Sequence, residues 1–329
     1  MNKRGLVDLI IAILPGLMPK ERVLLIQNFS GEEDLIIQSK NDIEKILGRE
    51  IKCIWDMDDI RLRAQRVEKV CRMRSIYWVS WNDSSYPPML REMYDPPPVI
   101  FFRGCLPSPE KSLLGMVGTR RPSPEAAIQA YTIAEGAALA GISVVSGLAL
   151  GIDAMSHRGN LCGGAPGYAV LGSGVDEIYP SSNRNLAKRI LDSGGAILSE
   201  YPPGTRPSKW NFPARNRIIS ALSRSVIIVE APKKSGSLIT AAFALEQGRD
   251  LWVASCGLQE RQYGSLHDKL GTIKLASDGA DIIYSSRDVL ERWNIDYADN
   301  SCDSEMSVEW DKCGKELASS MASLLDIEL

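Results

Sequence analysis

The chain has 329 residues, 44% of them apolar and 24% charged, with a formal net charge of −3 at pH 7. These proportions exclude wholesale disorder, collagen-like repetition and a strongly basic nucleic-acid coat. No apolar stretch reaches the roughly 18 residues that a membrane span needs. Residues 6–14, after Lys3 and Arg4, come nearest to a signal sequence. Asp8 interrupts them, Pro15-Gly16 ends them and no small-residue cleavage site follows. The expectation is a cytoplasmic protein without an export signal or membrane segment.

Residues 5–75 read as helical. Leu6, Leu9, Ile10 and Ile13 recur at helical spacing, and residues 42–47 and 60–70 carry further such patterns. Pro15-Gly16 and Ser30-Gly31 punctuate them. A small all-helical N-terminal domain over 1–85 is expected, similar to a sterile-alpha-motif or helix-hairpin-helix unit. Such a unit either docks or touches DNA through its turns.

Pro87-Pro88 and Pro96-Pro97-Pro98 cannot lie inside a helix and set a boundary near 85–98. Beyond it come short apolar runs at 99–102, 113–117, 142–145, 168–171, 196–198, 226–229, 251–254 and 281–284. Helical patterns at 124–140, 183–191, 214–222 and 238–247 separate most of them. Continuous apolar strands alternating with helices predict an α/β domain over 86–290 with a mostly parallel sheet covered on both faces. Right-handed crossovers make it doubly wound and Rossmann-like, with ligands bound beyond the strands' carboxyl ends. Residues 291–329 carry ten acidic side chains against three basic, an acidic C-terminal tail on a modestly basic body.

Five strand-end loops hold the candidate chemistry. In the first, Gly118 permits a tight turn, Thr119, Arg120 and Arg121 follow, and Ser123 can cap a helix starting at Pro124. That is an anion site or an ordinary turn with solvated arginines. In the second, Ser146 and Gly147 begin a loop whose Asp153 and His157 lie four apart on one helix face. They form either a reactive dyad or a structural pair in which Asp153 satisfies His157. In the third, Gly172 and Gly174 begin like a dinucleotide fingerprint, but Glu177 replaces its third glycine. In the fourth, Arg215, Asn216 and Arg217 follow Lys209, Trp210 and Phe212, a mixture of cations and rings that suits single-stranded nucleic acid. The bland arrangement puts the rings in the core and the arginines in ion pairs. In the fifth, Lys234, Ser235, Gly236 and Ser237 form a second anion cradle at a helix start.

No Walker loop, nucleophile elbow or zincin motif occurs. Seven cysteines without a C-x-x-C pair, and two histidines, predict reduced thiols, no structural zinc and no cofactor.

The chain resembles the DNA-processing protein A (DprA/Smf) family. The resemblance rests on DPPPVIFFRG at 95–104, VGTRRP at 117–122, SGLALGID at 146–153 and AVLGSGVDEIYP at 169–180. It continues through SEYPPG at 199–204, FPARNRIIS at 212–220, VEA at 229–231 and SGSLITA at 235–241. The likeness implies an extended Rossmann-like domain that binds single-stranded DNA, forms homodimers and has no established enzymatic activity. Family members protect incoming DNA during transformation and load the RecA recombinase. The family's DNA-contacting arginines fall on Arg120, Arg215 and Arg217, with Asn216, so these three arginines are expected to grip successive phosphates. Phe212 either stacks on bases or lies in the core. The chain departs from the family in Leu150, which replaces an arginine, and in Ser181, which replaces a lysine with Arg184 three residues on. Residues 264–279 follow the family only loosely. Too few residues follow Glu291 for the family's frequent winged helix, so that domain is expected to be absent.

Two further readings belong to other classes. One is a nucleotide N-glycosidase of the related lysine-decarboxylase-like Rossmann group, which needs a glutamate about three residues after a Gly-Thr. Here Ser-Leu-Ile-Thr follows Gly236, and the next acid along the chain, Glu246, lies ten residues on. The other is a nucleotide-sensing module. Dimerisation is expected near 225–290.

Overall fold

The N-terminal stretch folds as five helices, α1 (Val7–Ile13), α2 (Pro19–Asn28), α3 (Glu32–Ile36), α4 (Lys40–Leu47) and α5 (Met57–Met73). They belong to a computed structural model that describes residues 5–258 and 269–295. Local chemistry sets their starts: Ser39 and Asp42 form a reciprocal capping box on α4, and the Asp56 carboxylate accepts the Asp59 N–H at 3.1 Å to open α5.

The remainder alternates strands and helices. In order come β1 (Tyr77–Ser80), α6 (Pro88–Arg91), β2 (Val99–Gly104), β3 (Leu113–Val117), α7 (Pro124–Leu139), β4 (Ser143–Ser146), α8 (Ile152–Cys162) and β5 (Tyr168–Val170). Then follow α9 (Arg184–Asp192), β6 (Ala196–Ser199), α10 (Asn211–Leu222), β7 (Ser225–Ile228) and α11 (Gly236–Glu246). The last described elements are β8 (Asp250–Ala254), α12 (Leu270–Ser277), β9 (Asp281–Ile283) and α13 (Ser286–Arg292).

The strands form one sheet in the order β1-β2-β6-β5-β4-β3-β7-β8-β9. From β6 to β9 all neighbours are parallel, with Leu114 opposite Val144 on one side and Ser225 on the other. β1 and β2 add an antiparallel edge. All eight apolar runs are strands, and the α/β, doubly wound reading holds. β1 is a correction, because it falls within the segment read as all-helical. Its four residues bury only Val79 and Ser80 fully, too short a pattern to stand out behind α5.

Helices cover both faces. Leu9, Ile10, Leu25, Ile26 and Ile43 of the N-terminal helices share one apolar cluster with Val99, Phe101 and Ala169 of the sheet. Ile218 and Ile219 of α10 and Ala241 and Ala244 of α11 pack in a second cluster with Val145, Val170 and Val226. The chain leaves β3 toward β4 but leaves β7 toward β8, so a crevice opens beyond the carboxyl ends of β3 and β7.

Cys53, Cys71, Cys105 and Cys256 are free thiols. The acidic tail beyond 295, His267, Cys302, Cys313 and most of the loosely matching 264–279 segment's start, 264–268, lie outside the described residues. No helix among the described residues is long and apolar enough to cross a membrane.

Candidate nucleic-acid interface

A cleft of about 650 Å³ occupies the crevice. The β3–α7 turn supplies Gly118, Thr119 and Arg120 to one wall, α10 and its lead-in supply Lys209, Phe212, Arg215 and Asn216, and the start of α11 supplies Lys234, Ser235, Gly236 and Ser237. Most of the first, fourth and fifth candidate loops therefore converge. The β3–α7 turn is fixed by its backbone. The Thr119 N–H donates to the Glu230 carbonyl at 2.8 Å, and the Thr119 hydroxyl accepts the Arg121 N–H at 3.2 Å. At the start of α7, Ser123 caps the Ala126 N–H and donates its hydroxyl to the buried Glu230 carboxylate.

Exposed cations face half-buried rings. The Arg120 guanidinium lies 5.6 Å from the centroid of the Phe212 ring, and Tyr179 lies 5.6 Å from the same ring at a tilt of 34°. Lys209 and Lys234 are exposed and line the same cleft. Phe212 is neither core nor fully exposed: it packs on Gly172, where a Cβ would come within 3.0 Å of its ring. Asn211 ties down the same spot, its side-chain N–H₂ donating to the Gly172 carbonyl at 3.0 Å.

Arg215 is buried behind the cleft instead of reaching across it. Its Nη1 donates to the Gly147 carbonyl at 2.8 Å and also to that of Val170. A Cβ on Gly147 would overlap the guanidinium at 2.4 Å, so only glycine permits this approach. Burial lowers the Arg215 pKa to about 10, with Asp153 pulling the other way, and the group stays charged at neutral pH. It holds the β4–α8 and β5 loops together while contributing positive potential from beneath.

Arg217 requires a correction. It does not face the cleft; its Nη2 meets Glu200 Oε2 at 2.5 Å, and both side chains are about nine-tenths buried. The expected set of three phosphate-gripping arginines thus reduces to Arg120 at the surface, Arg215 behind it and Arg217 elsewhere. Asn216, between the two, lines the cleft and donates to the Gly236 carbonyl at 3.1 Å, tying α10 to the start of α11. There the Ser235 hydroxyl accepts the Ser237 N–H at 3.2 Å.

Other expected residues lie apart. Ser146 is buried, its hydroxyl donating to the Met116 carbonyl at 2.6 Å. Arg121 and Arg184 are exposed but do not line the cleft. The Asp153–His157 pair does not form. Asp153 accepts the N–H groups of Gly147 and Ala149 at 3.1 and 3.3 Å, and both His157 ring nitrogens are buried without a hydrogen-bond partner among the described residues. Loop amides at the first turn of α8 outcompete a side chain one turn later. Gly151, at φ +76°, supplies the left-handed residue that lets the loop fold back over this carboxylate. Leu150, where the family has arginine, is exposed at the cleft's edge beside Arg120 and Tyr179. Thr240, at the end of the fifth candidate loop, also lines the cleft, as does Tyr179, which sequence reasoning missed as a site residue. Tyr179 entered only as part of the motif at 169–180.

Residues 77–294 match the family described as DNA recombination-mediator protein A. The protein Smf of Synechocystis is 42% identical over 215 residues, 64% of this chain and 52% of that protein. The chain therefore spans about half the length of that relative. The X-ray structure of DNA processing protein A from Streptococcus pneumoniae is similar at a TM-score of 0.68 and 31% identity, covering 91% of this chain and 99% of that one. A structure of DNA processing protein A from Helicobacter pylori, described for its single-stranded DNA binding mode, is similar at a TM-score of 0.56 and 30% identity, covering 67% and 97%. With its sheet order, helical N-terminus and 218 matched residues in accord, the chain belongs to the DNA recombination-mediator protein A family.

Proposed function

We propose that the chain binds single-stranded DNA in the cleft beyond β3 and β7 and acts as a non-enzymatic recombination mediator, passing the strand to a RecA-type recombinase in the cytoplasm. One observation carries the reading: exposed Arg120, Lys209 and Lys234 line one cleft together with the Phe212–Tyr179 ring pair. Rings stack on unpaired bases of any sequence while cations meet the intervening phosphates. Family membership and the Helicobacter relative's described binding mode support it. The helical N-terminal region to residue 85 is taken as a docking unit, and 86–290 as the DNA-binding unit.

A glycosidase reading finds no support in the placement of its acid. Glu246 ends α11 whereas the cleft meets the helix at its start, about 15 Å away along the axis.

The test is fluorescence anisotropy with labelled oligo-dT and duplex across a salt series. If all three cations meet phosphates, they contribute about −2 to the single-strand salt slope, and Arg120→Ala flattens it by about 0.7. Phe212→Ala weakens oligo-dT binding by about 1–3 kcal/mol without altering the slope. Equal affinity for duplex and oligo-dT, or an Arg120→Ala variant with unchanged slope, overturns the assignment. The recombinase step is read in the same system, as faster filament assembly on oligo-dT carrying the protein.

The assembly is proposed to be a homodimer through the later strands and helices near 225–290. Exposed Ile239 and Leu245 of α11 and Tyr284 after β9 offer apolar surface there. Sedimentation at micromolar concentration is expected to give twice the single-chain mass; a single-chain species alone would count against it.

A further inference from the structure

We propose that Trp210, with Lys209, forms a second base-stacking station at the mouth of the cleft, taking an unpaired base of a strand whose neighbouring part lies inside. This deepens the single-stranded-DNA reading and rests on it. Trp210 is 74% exposed, a large apolar surface left in water on an otherwise anchored segment. Its own N–H donates to the Ser208 hydroxyl at 3.4 Å, the next residue's N–H donates to the Ser208 carbonyl at 3.0 Å, and Asn211 is fixed to Gly172. The backbone is thus held while the ring is offered outward.

Other exposed aromatics differ. Tyr94 is held by Lys20 through its hydroxyl and ring face, and Tyr77 packs against Phe102. The Lys209 ammonium lies 4.9 Å from the centroid of the Trp210 ring. Lys209 itself lines the cleft, so the indole stands beside the cation that a strand would pass on leaving. A flexible lysine over an indole can turn to a phosphate when a base takes the ring. Ring, cation and cleft margin in that order match the alternation of base and phosphate along a single strand. Trp210 and Phe212 bracket the α10 start, one outside and one inside.

Oligo-dT, an abasic phosphodiester of equal length and duplex DNA are titrated against the full chain and against Trp210→Ala, Trp210→Phe, Trp210→Leu and Lys209→Ala. Trp210→Ala is expected to weaken oligo-dT binding roughly five- to 150-fold, with the salt slope and abasic binding unchanged. Trp210→Phe retains most of the affinity and Trp210→Leu does not, separating stacking from simple apolar contact. Lys209→Ala flattens the slope by about 0.7. Oligo-dT also quenches tryptophan emission in the wild type, and Trp210→Phe removes most of that quenching although six other tryptophans remain. Wild-type affinity in a folded Trp210→Ala, or full rescue by leucine, overturns this station while leaving the cleft reading intact. A wild type that does not prefer oligo-dT to duplex overturns both.

Discussion

Arg217→Ala is expected to destabilise the protein by about 3–5 kcal/mol and to leave the salt slope of DNA binding unchanged in whatever fraction folds. Arg217 and Glu200 meet at 2.5 Å with side chains only 9% and 10% exposed. Burial pushes the Glu200 carboxyl up, and the adjacent Arg217 pulls it back. Removing the guanidinium leaves a buried carboxylate whose remaining cationic neighbour, Arg22, is itself buried with its pKa lowered by that burial. Arg217→Ala should therefore cost far more than an exposed arginine would. A double replacement, Arg217→Met with Glu200→Leu, is expected to recover most of the loss, because two apolar side chains need no partner. Urea denaturation of the single and double variants at pH 7 checks both statements. If Arg217→Ala unfolds within about 1 kcal/mol of wild type, the buried pair does not hold α10 to the end of β6.

That pair shows where the sequence was legible and where it was not. The strands were legible because each is a short continuous apolar run, and eight such runs in alternation with helices admit few arrangements. Topology predicts that all five strand-end loops meet at one edge, since parallel strands bring their carboxyl ends there; the cleft takes most from the first, fourth and fifth, Ala149 and Asp153 from the second, and none of 172–174. Side-chain direction was another matter. Arg215 and Arg217 are two apart on a helix, roughly 200° around its axis, so they cannot both face one groove. Arg215, from behind, and Asn216 line it, and Arg217 does not. Ser146 failed for a related reason: at the end of β4 it is buried against Met116, where its hydroxyl spends its hydrogen on a carbonyl. Motif likeness marks which residues are needed, not whether they touch a ligand or hold the loop that does. Arg215 is tied to the Gly147 carbonyl, whereas Arg120 lies exposed over the Phe212 ring.

His157 should make the protein acid-sensitive well above the carboxylate range. Burial, reinforced by the positive charge of Arg215, lowers its pKa from the ordinary 6.5 to about 3. The unfolded chain therefore takes up a proton as pH falls through 6.5, while the folded chain refuses it until about pH 3. The sign follows directly: the His157 contribution is fully present above pH 6.5 and is lost progressively from there down to about pH 3. Over that window the loss amounts to about 5 kcal/mol. Asp153, one turn earlier on α8, acts oppositely, because burial raises its pKa and protonation favours the folded form. The two are separated by comparing wild type with His157→Met, which keeps an apolar side chain of similar size in a site where neither ring nitrogen has a partner among the described residues. The difference in unfolding free energy between the two proteins is expected to be flat from pH 8 to 6.5 and then to move steadily in favour of the variant. A difference that stays constant down to pH 4 would mean that His157 reaches solvent or a partner.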